Sequence, residues 1–103
     1  MHIISKRPFN DAAKNYSNDK AALLDLYKTL KKSSFKTPEE MKKVFKTLDN
    51  FKYRDKLYVL DVGGNNLRII ALIQFVNKRI YMKHIVTHAD YDKLCKKYRS
   101  EKI

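Results

Sequence analysis

Hydrophobic positions along the chain follow one spacing up to about residue 50 and another beyond it. In the first half, Leu23, Leu26, Tyr27 and Leu30 recur at i, i+3, i+4 and i+7, which predicts a helix with one apolar face. Asn18 is its expected N-cap, and Lys31 and Lys32 place cations near the negative end of the macrodipole. Met41, Val44, Phe45 and Leu48 repeat the spacing. Thr37-Pro38-Glu39-Glu40 predicts where that helix begins, with Thr37 as cap, Pro38 in the first turn and Glu40 completing a capping box. A shorter helix is expected over Arg7 to Tyr16, begun by Pro8, after a strand at His2-Ile3-Ile4.

Beyond Asn50 the pattern becomes that of strands. Leu57 to Val62 is followed by Gly63-Gly64-Asn65-Asn66, residues that tolerate the positive φ of a tight hairpin. Leu67 to Val76 is apolar on both faces and is expected at the sheet centre, covered on both sides, with Asn77-Lys78 turning into a third strand, Arg79 to Val86. Thr87 then caps a last helix, with Asp90 at the reciprocal capping-box position, and Tyr91, Leu94, Cys95 and Tyr98 return to helical spacing. Helices, then an antiparallel meander, then one helix predict an α+β fold with the helices on one face of the sheet.

Composition narrows the class without altering this picture. The 103 residues, 44% of them hydrophobic, suit one domain spanning 1–103 with its own core. The single cysteine, Cys95, excludes an internal disulfide, and with three histidines makes a structural zinc site an unattractive reading. No cofactor motif or metal-ligand cluster stands out. No apolar run has the length of a signal peptide core or a membrane helix, so a soluble, cytoplasmic protein with no membrane partner is expected.

Charge changes the picture most. The net charge is +12, from 23 Lys and Arg against 11 Asp and Glu. It is spread along the chain, with +5 over residues 1–50 (11 basic, 6 acidic) and +7 over residues 51–103 (12 basic, 5 acidic). Such an excess repels itself, and a polyanionic partner relieves that cost.

Cutting RNA without a metal requires a base for the 2′-OH, cations for the phosphoryl oxygens and an acid for the leaving oxygen. His88 is the best candidate for proton transfer, since it starts the last helix, where backbone N–H groups attract phosphate. Tyr91 and Asp92 lie three and four residues on, within reach of one helical face. Asp92 can orient the ring; Tyr91 can stack on a base, move a proton, or simply continue the buried stripe. Arg68 interrupts the apolar run Leu67 to Ile73, where a guanidinium is costly unless it is paired or open to a ligand. It reads either as a phosphate fork or as a salt bridge to Asp61 across the hairpin. On the following strand, Lys83 is expected to share a face with Tyr81 and Ile85, and His84 to take the other. Lys52, Tyr53, Arg54 and Lys56, interleaved with Phe51 and Tyr58, suit single-stranded RNA, or form a solvated rim around core aromatics.

Residues 48–75, LDNFKYRDKLYVLDVGGNNLRIIALIQF, and residues 80–94, IYMKHIVTHADYDKL, closely resemble the HigB family of type II toxins, members of the RelE-like superfamily. The most specific pieces are DNFKY, VGGN followed by LR, and THxxYD. The resemblance implies a RelE-like fold and a ribosome-dependent endoribonuclease that cleaves translated mRNA. It implies a HigA-like helix-turn-helix antitoxin as partner, with operator DNA bound only through the toxin–antitoxin complex. Arg68, Lys83, His88 and Tyr91 are the positions to which it carries the catalytic site. Asp90 stands where many members have Glu. A non-catalytic basic module that binds RNA or DNA is the alternative that charge and aromatics alone would equally suit.

Overall fold

The structure, a computed structural model, describes residues 1–4, 6–64 and 66–100. In chain order these form β1 (His2–Ile3), α1 (Arg7–Asn15), a 3-10 turn (Ser17–Asp19), α2 (Lys20–Lys32) and α3 (Pro38–Val44). There follow β2 (Asp49–Asn50), β3 (Leu57–Val62), β4 (Leu67–Gln74), β5 (Arg79–Thr87) and α4 (His88–Ser100). Among the described residues the strands make one five-stranded sheet in the order β1-β5-β4-β3-β2. The fold is α+β, as expected, and β4 is central, between β3 and β5, both antiparallel to it.

Two features depart from what the sequence predicts. The sheet is mixed, because β1 runs parallel to β5, with His2 opposite Arg79 and Ile3 opposite Ile80. Helices cover both faces. On one, α1, α2 and α3 enclose a core that includes Phe9, Leu23, Leu30, Met41, Leu67, Ile69 and Ile80. On the other, Tyr91, Leu94, Cys95 and Tyr98 of α4 pack over Phe51, Leu57, Val59 and Ile70. The reason is β4 itself. Its two apolar faces each need cover, and alternate residues of a strand point to opposite sides. Full burial of one Leu, Ile or Phe side chain is worth about 1.5–3 kcal/mol, so neither face can stay wet.

The helix starts are partly as read. The Thr37 hydroxyl accepts from the Glu40 N–H at 3.2 Å, while the Glu40 carboxylate reaches past it to the Lys36 N–H at 2.7 Å. The capping box is therefore offset by one residue. α3 ends at Val44, which is left 54% exposed, and Leu48 rejoins the core only after a turn. Asn18 does not cap α2; it lies in the 3-10 turn, and Asp19 occupies the N-cap position without capping through its side chain. The Asp19 carboxylate accepts instead from the Asn66 Nδ2 at 3.1 Å. Gly63, at φ +64°, lies so close to that carboxylate that any Cβ would collide with it. The positive φ is what calls for a glycine there. Asn65, expected in the same turn, lies outside the described residues.

Candidate active site

The geometry of the site follows from one irregularity in β5. Ile70 pairs with His84 and Ala71 with Met82, so Lys83 is an extra residue without a partner on β4, a β-bulge. Beyond the bulge every side chain of β5 changes sides. Tyr81, opposite Leu72, and His84, opposite Ile70, therefore share the α4 face, while Ile85 faces Ile69 in the other core. The expectation that Lys83 sides with Tyr81 and Ile85, away from His84, is overturned by that extra residue. His84 lies on the Arg68 face, since Arg68 pairs with Val86, two residues along.

Of the two alternatives for Arg68, the structure shows the salt bridge to Asp61. Arg68 stands directly opposite Asp61, and its Nε donates to the carboxylate at 2.9 Å. The two side chains are 28% and 13% exposed, so the pair is sheltered but open on one side. The guanidinium carbon sits 4.5 Å from the centre of the Tyr91 ring. Burial works against the charge, but Asp61 and Tyr91 outweigh it and raise the pKa above its ordinary value. Arg68 is thus a fixed cation, held in a plane by a carboxylate and an aromatic face.

Tyr91 continues the buried stripe of α4. Its ring packs on the second core and meets Phe51 edge to face at 6.3 Å. Burial and Cys95 push its phenol pKa up, with Arg68 pulling the other way. The hydroxyl therefore stays protonated at neutral pH and is a donor. With the guanidinium on its ring, Tyr91 is poorly placed to stack on a base.

His88 is the first residue of α4, one position past the pairing of Thr87 with Leu67. Thr87 caps the helix, its hydroxyl accepting from the Asp90 N–H at 3.3 Å. His88 is thereby fixed at the end of the sheet where Arg68 lies. Its Nε2 is buried with no hydrogen-bond partner among the described residues. Asp92 is exposed and makes no hydrogen bond to His88 there. Buried polar atoms without partners are rare and ask for an explanation, a bound group among them.

The loop before β3 divides. Lys52 lies 6.0 Å from the Tyr53 ring, and Lys52 and Lys56 are both exposed. Lys56 adopts a left-handed φ of 65°. Arg54 serves the architecture: it donates to the Tyr53 carbonyl at 2.6 Å and the Tyr98 carbonyl at 3.0 Å. Its guanidinium lies 5.1 Å from the Tyr98 ring. Phe51, Tyr53 and Tyr98 pack edge to face beneath it.

The sequence reading gave His84 no role. Its Nε2 lies 3.0 Å from the Tyr98 hydroxyl. Burial, then Lys83 and Lys97, lower its pKa. A signal for its side of the sheet did exist. Ile80, Met82 and Ile85 all face the first core, a spacing of two and then three that a regular strand cannot produce.

Comparison with known proteins bears on the family of the chain. The HigB toxin family, described as the RelE-like toxic component of a toxin–antitoxin system, matches residues 19–94. The chain is similar to the mRNA interferase HigB of Escherichia coli O6:H1, with 62% identity over 102 residues, 99% of each chain. It is also similar to the mRNA interferase HigB of Shigella flexneri, with 46% identity over 92 residues, 89% of this chain and 88% of the relative.

Proposed function

The chain belongs to the HigB family of RelE-like toxins, and from that premise we propose that it is an endoribonuclease that cleaves mRNA at the Arg68–Tyr91–His88 end of the sheet. The toxin of such a pair has an antitoxin as its partner and is held in check by it. The observation that carries the site is the Arg68 guanidinium, fixed between the Asp61 carboxylate and the Tyr91 ring at the end of the sheet where α4 begins.

The mechanism needs no metal. A phosphate that enters there meets the terminal nitrogens of Arg68, which stabilise the charge growing on the phosphoryl oxygens. His88 takes the proton from the 2′-OH, which attacks the adjacent phosphorus. The 5′-oxygen leaves as the 2′,3′-cyclic phosphate forms, and the protonated Tyr91 hydroxyl donates to it. Asp61 holds Arg68 and does not touch the substrate. Lys52 and Lys56, on the loop before β3 with Tyr53, hold the RNA strand away from the cut.

The finer assignments belong to the same reading. The substrate is mRNA on the translating ribosome, in the cytoplasm, and the antitoxin is a HigA-like helix-turn-helix protein through which the complex reaches operator DNA. Support comes from the +12 charge, which suits an RNA-rich target. The test is induced expression without the antitoxin, followed by primer extension on a translated reporter and on the same transcript with its start codon removed. New 5′ ends confined to the translated transcript support the reading. Binding without any cleavage would favour a basic RNA-binding module instead.

A further inference from the structure

A second cluster of cationic side chains lies on the α4 face of the sheet, away from Arg68. Its centre is the contact between His84 Nε2 and the Tyr98 hydroxyl at 3.0 Å, with the rings edge to face at 5.9 Å. Lys83 precedes His84 and Lys97 precedes Tyr98. The two lysines come from elements far apart in sequence, and both act electrostatically on the His84 ring, lowering its pKa after burial. Both are exposed, and neither has an ion pair among the described residues. Arg54 adds a guanidinium over the far ring, and no carboxylate acts on His84 among the described residues.

Gathering cations around a half-buried imidazole is unfavourable by itself, since each repels the others and the protonated ring. Building the cluster into the fold makes sense if an anion relieves that cost. We propose that Lys83, His84, Lys97 and the Tyr98 hydroxyl form an anion subsite for a backbone phosphate of the RNA, next to the phosphate that is cut. This rests on the reading of the protein as an RNA-cleaving toxin and gives Lys83 a role in holding the strand.

The spacing fits. His84 lies two residues from the Arg68 partner Val86, about 7 Å along β5. Tyr98 lies seven residues beyond Tyr91, about 10 Å along α4. Those lengths correspond to one or two nucleotide steps of an extended single strand. A phosphate there neutralises the two lysines, so His84 regains its proton and adds a charged donor. Binding of the strand is then coupled to proton uptake at His84.

The test uses the full chain and a short single-stranded RNA, 2′-O-methylated throughout so that it cannot be cut. Anisotropy across a salt series is expected to show the Lys83→Ala/Lys97→Ala variant binding about tenfold more weakly, with the log–log salt slope smaller by roughly one to two. Lys42→Ala/Lys43→Ala, on α3 across the sheet, is expected to leave both unchanged. By NMR, the His84 ring titrates at higher pH when the oligonucleotide is added to the wild type, and does not move in the double variant. Equal affinity and slope in the double variant, an unmoved His84, or no binding by the wild type would each overturn the subsite. Cleavage of translated mRNA by the wild type is read separately. Its absence alongside lysine-dependent binding would overturn the enzyme and leave the subsite standing.

Discussion

Arg68 and Tyr91 join the sheet to α4, the guanidinium carbon lying 4.5 Å from the ring centre while Nε holds Asp61 at 2.9 Å. Removing Arg68 therefore has two costs that can be measured apart. Arg68→Ala leaves the sheltered Asp61 carboxylate unpaired, an expected loss of about 1–2 kcal/mol by denaturant unfolding. It also removes the phosphoryl-oxygen stabiliser, an expected loss of about 10²–10³ in cleavage rate. Asp61→Asn separates the two: it weakens the pair and lowers stability, yet keeps the cation and most of the activity. Should Asp61→Asn lose as much rate as Arg68→Ala, the pair and not the cation would be what catalysis needs.

Tyr91→Phe keeps the ring, its packing against Phe51 and the seat for Arg68. Stability is expected to stay within about 0.5 kcal/mol, while single-turnover cleavage falls at least tenfold because the protonated donor is gone. Unchanged cleavage would restrict Tyr91 to packing.

Thr37→Ala and Thr87→Ala each remove a hydroxyl that accepts from a helix N–H, and each is expected to cost about 1 kcal/mol. Only Thr87 positions the helix start that carries His88. Thr87→Ala should therefore lower cleavage per folded molecule, and Thr37→Ala should not. Equal activity in the two variants would show that the α4 cap does not position the site.

The pH dependence of stability follows from His84, whose folded pKa lies below the ordinary 6.5 because of burial, Lys83 and Lys97. Below 6.5 the unfolded chain takes up a proton that the folded chain refuses. The His84 contribution is thus complete above 6.5 and is lost as pH falls toward the folded value. In thermal melts without RNA, Tm is expected to decline across that window, and His84→Gln should flatten the decline. A wild-type Tm that rises on acidification would contradict the assignment.

The strands that bury apolar residues were the most legible part of the chain. Leu57–Val62 has the bounds that its alternation and the following glycines predict, and β4 is central because both its faces are apolar. Strand β2 and the pairing of β1 show why the rest was not. Asp49 and Asn50 carry no pattern, and the pairing of His2 with Arg79 is decided by tertiary packing between the two ends of the chain. Cover on both faces of β4 follows from its two-sided pattern, but the pattern does not say that α4 supplies the second face. At the proposed site, Arg68 was legible as a misfit in its strand and Tyr91 from its spacing after His88. His84 was hidden by one extra residue, since a bulge reverses the side of everything after it. Arg54 looked like part of an RNA-binding rim because sequence does not show that a guanidinium is spent on the carbonyls of Tyr53 and Tyr98.

The proposed proton transfer by His88, the first residue of α4, is the part of the account most directly open to measurement. The decisive measurement is primer extension on a translated reporter after induction of the wild type or of His88→Ala, with equal soluble protein confirmed for both. Wild-type induction is expected to give discrete new 5′ ends and growth arrest. His88→Ala is expected to lower their appearance by about 10²–10⁴ and to be tolerated by the host. Full cleavage and full growth arrest by His88→Ala would contradict the account.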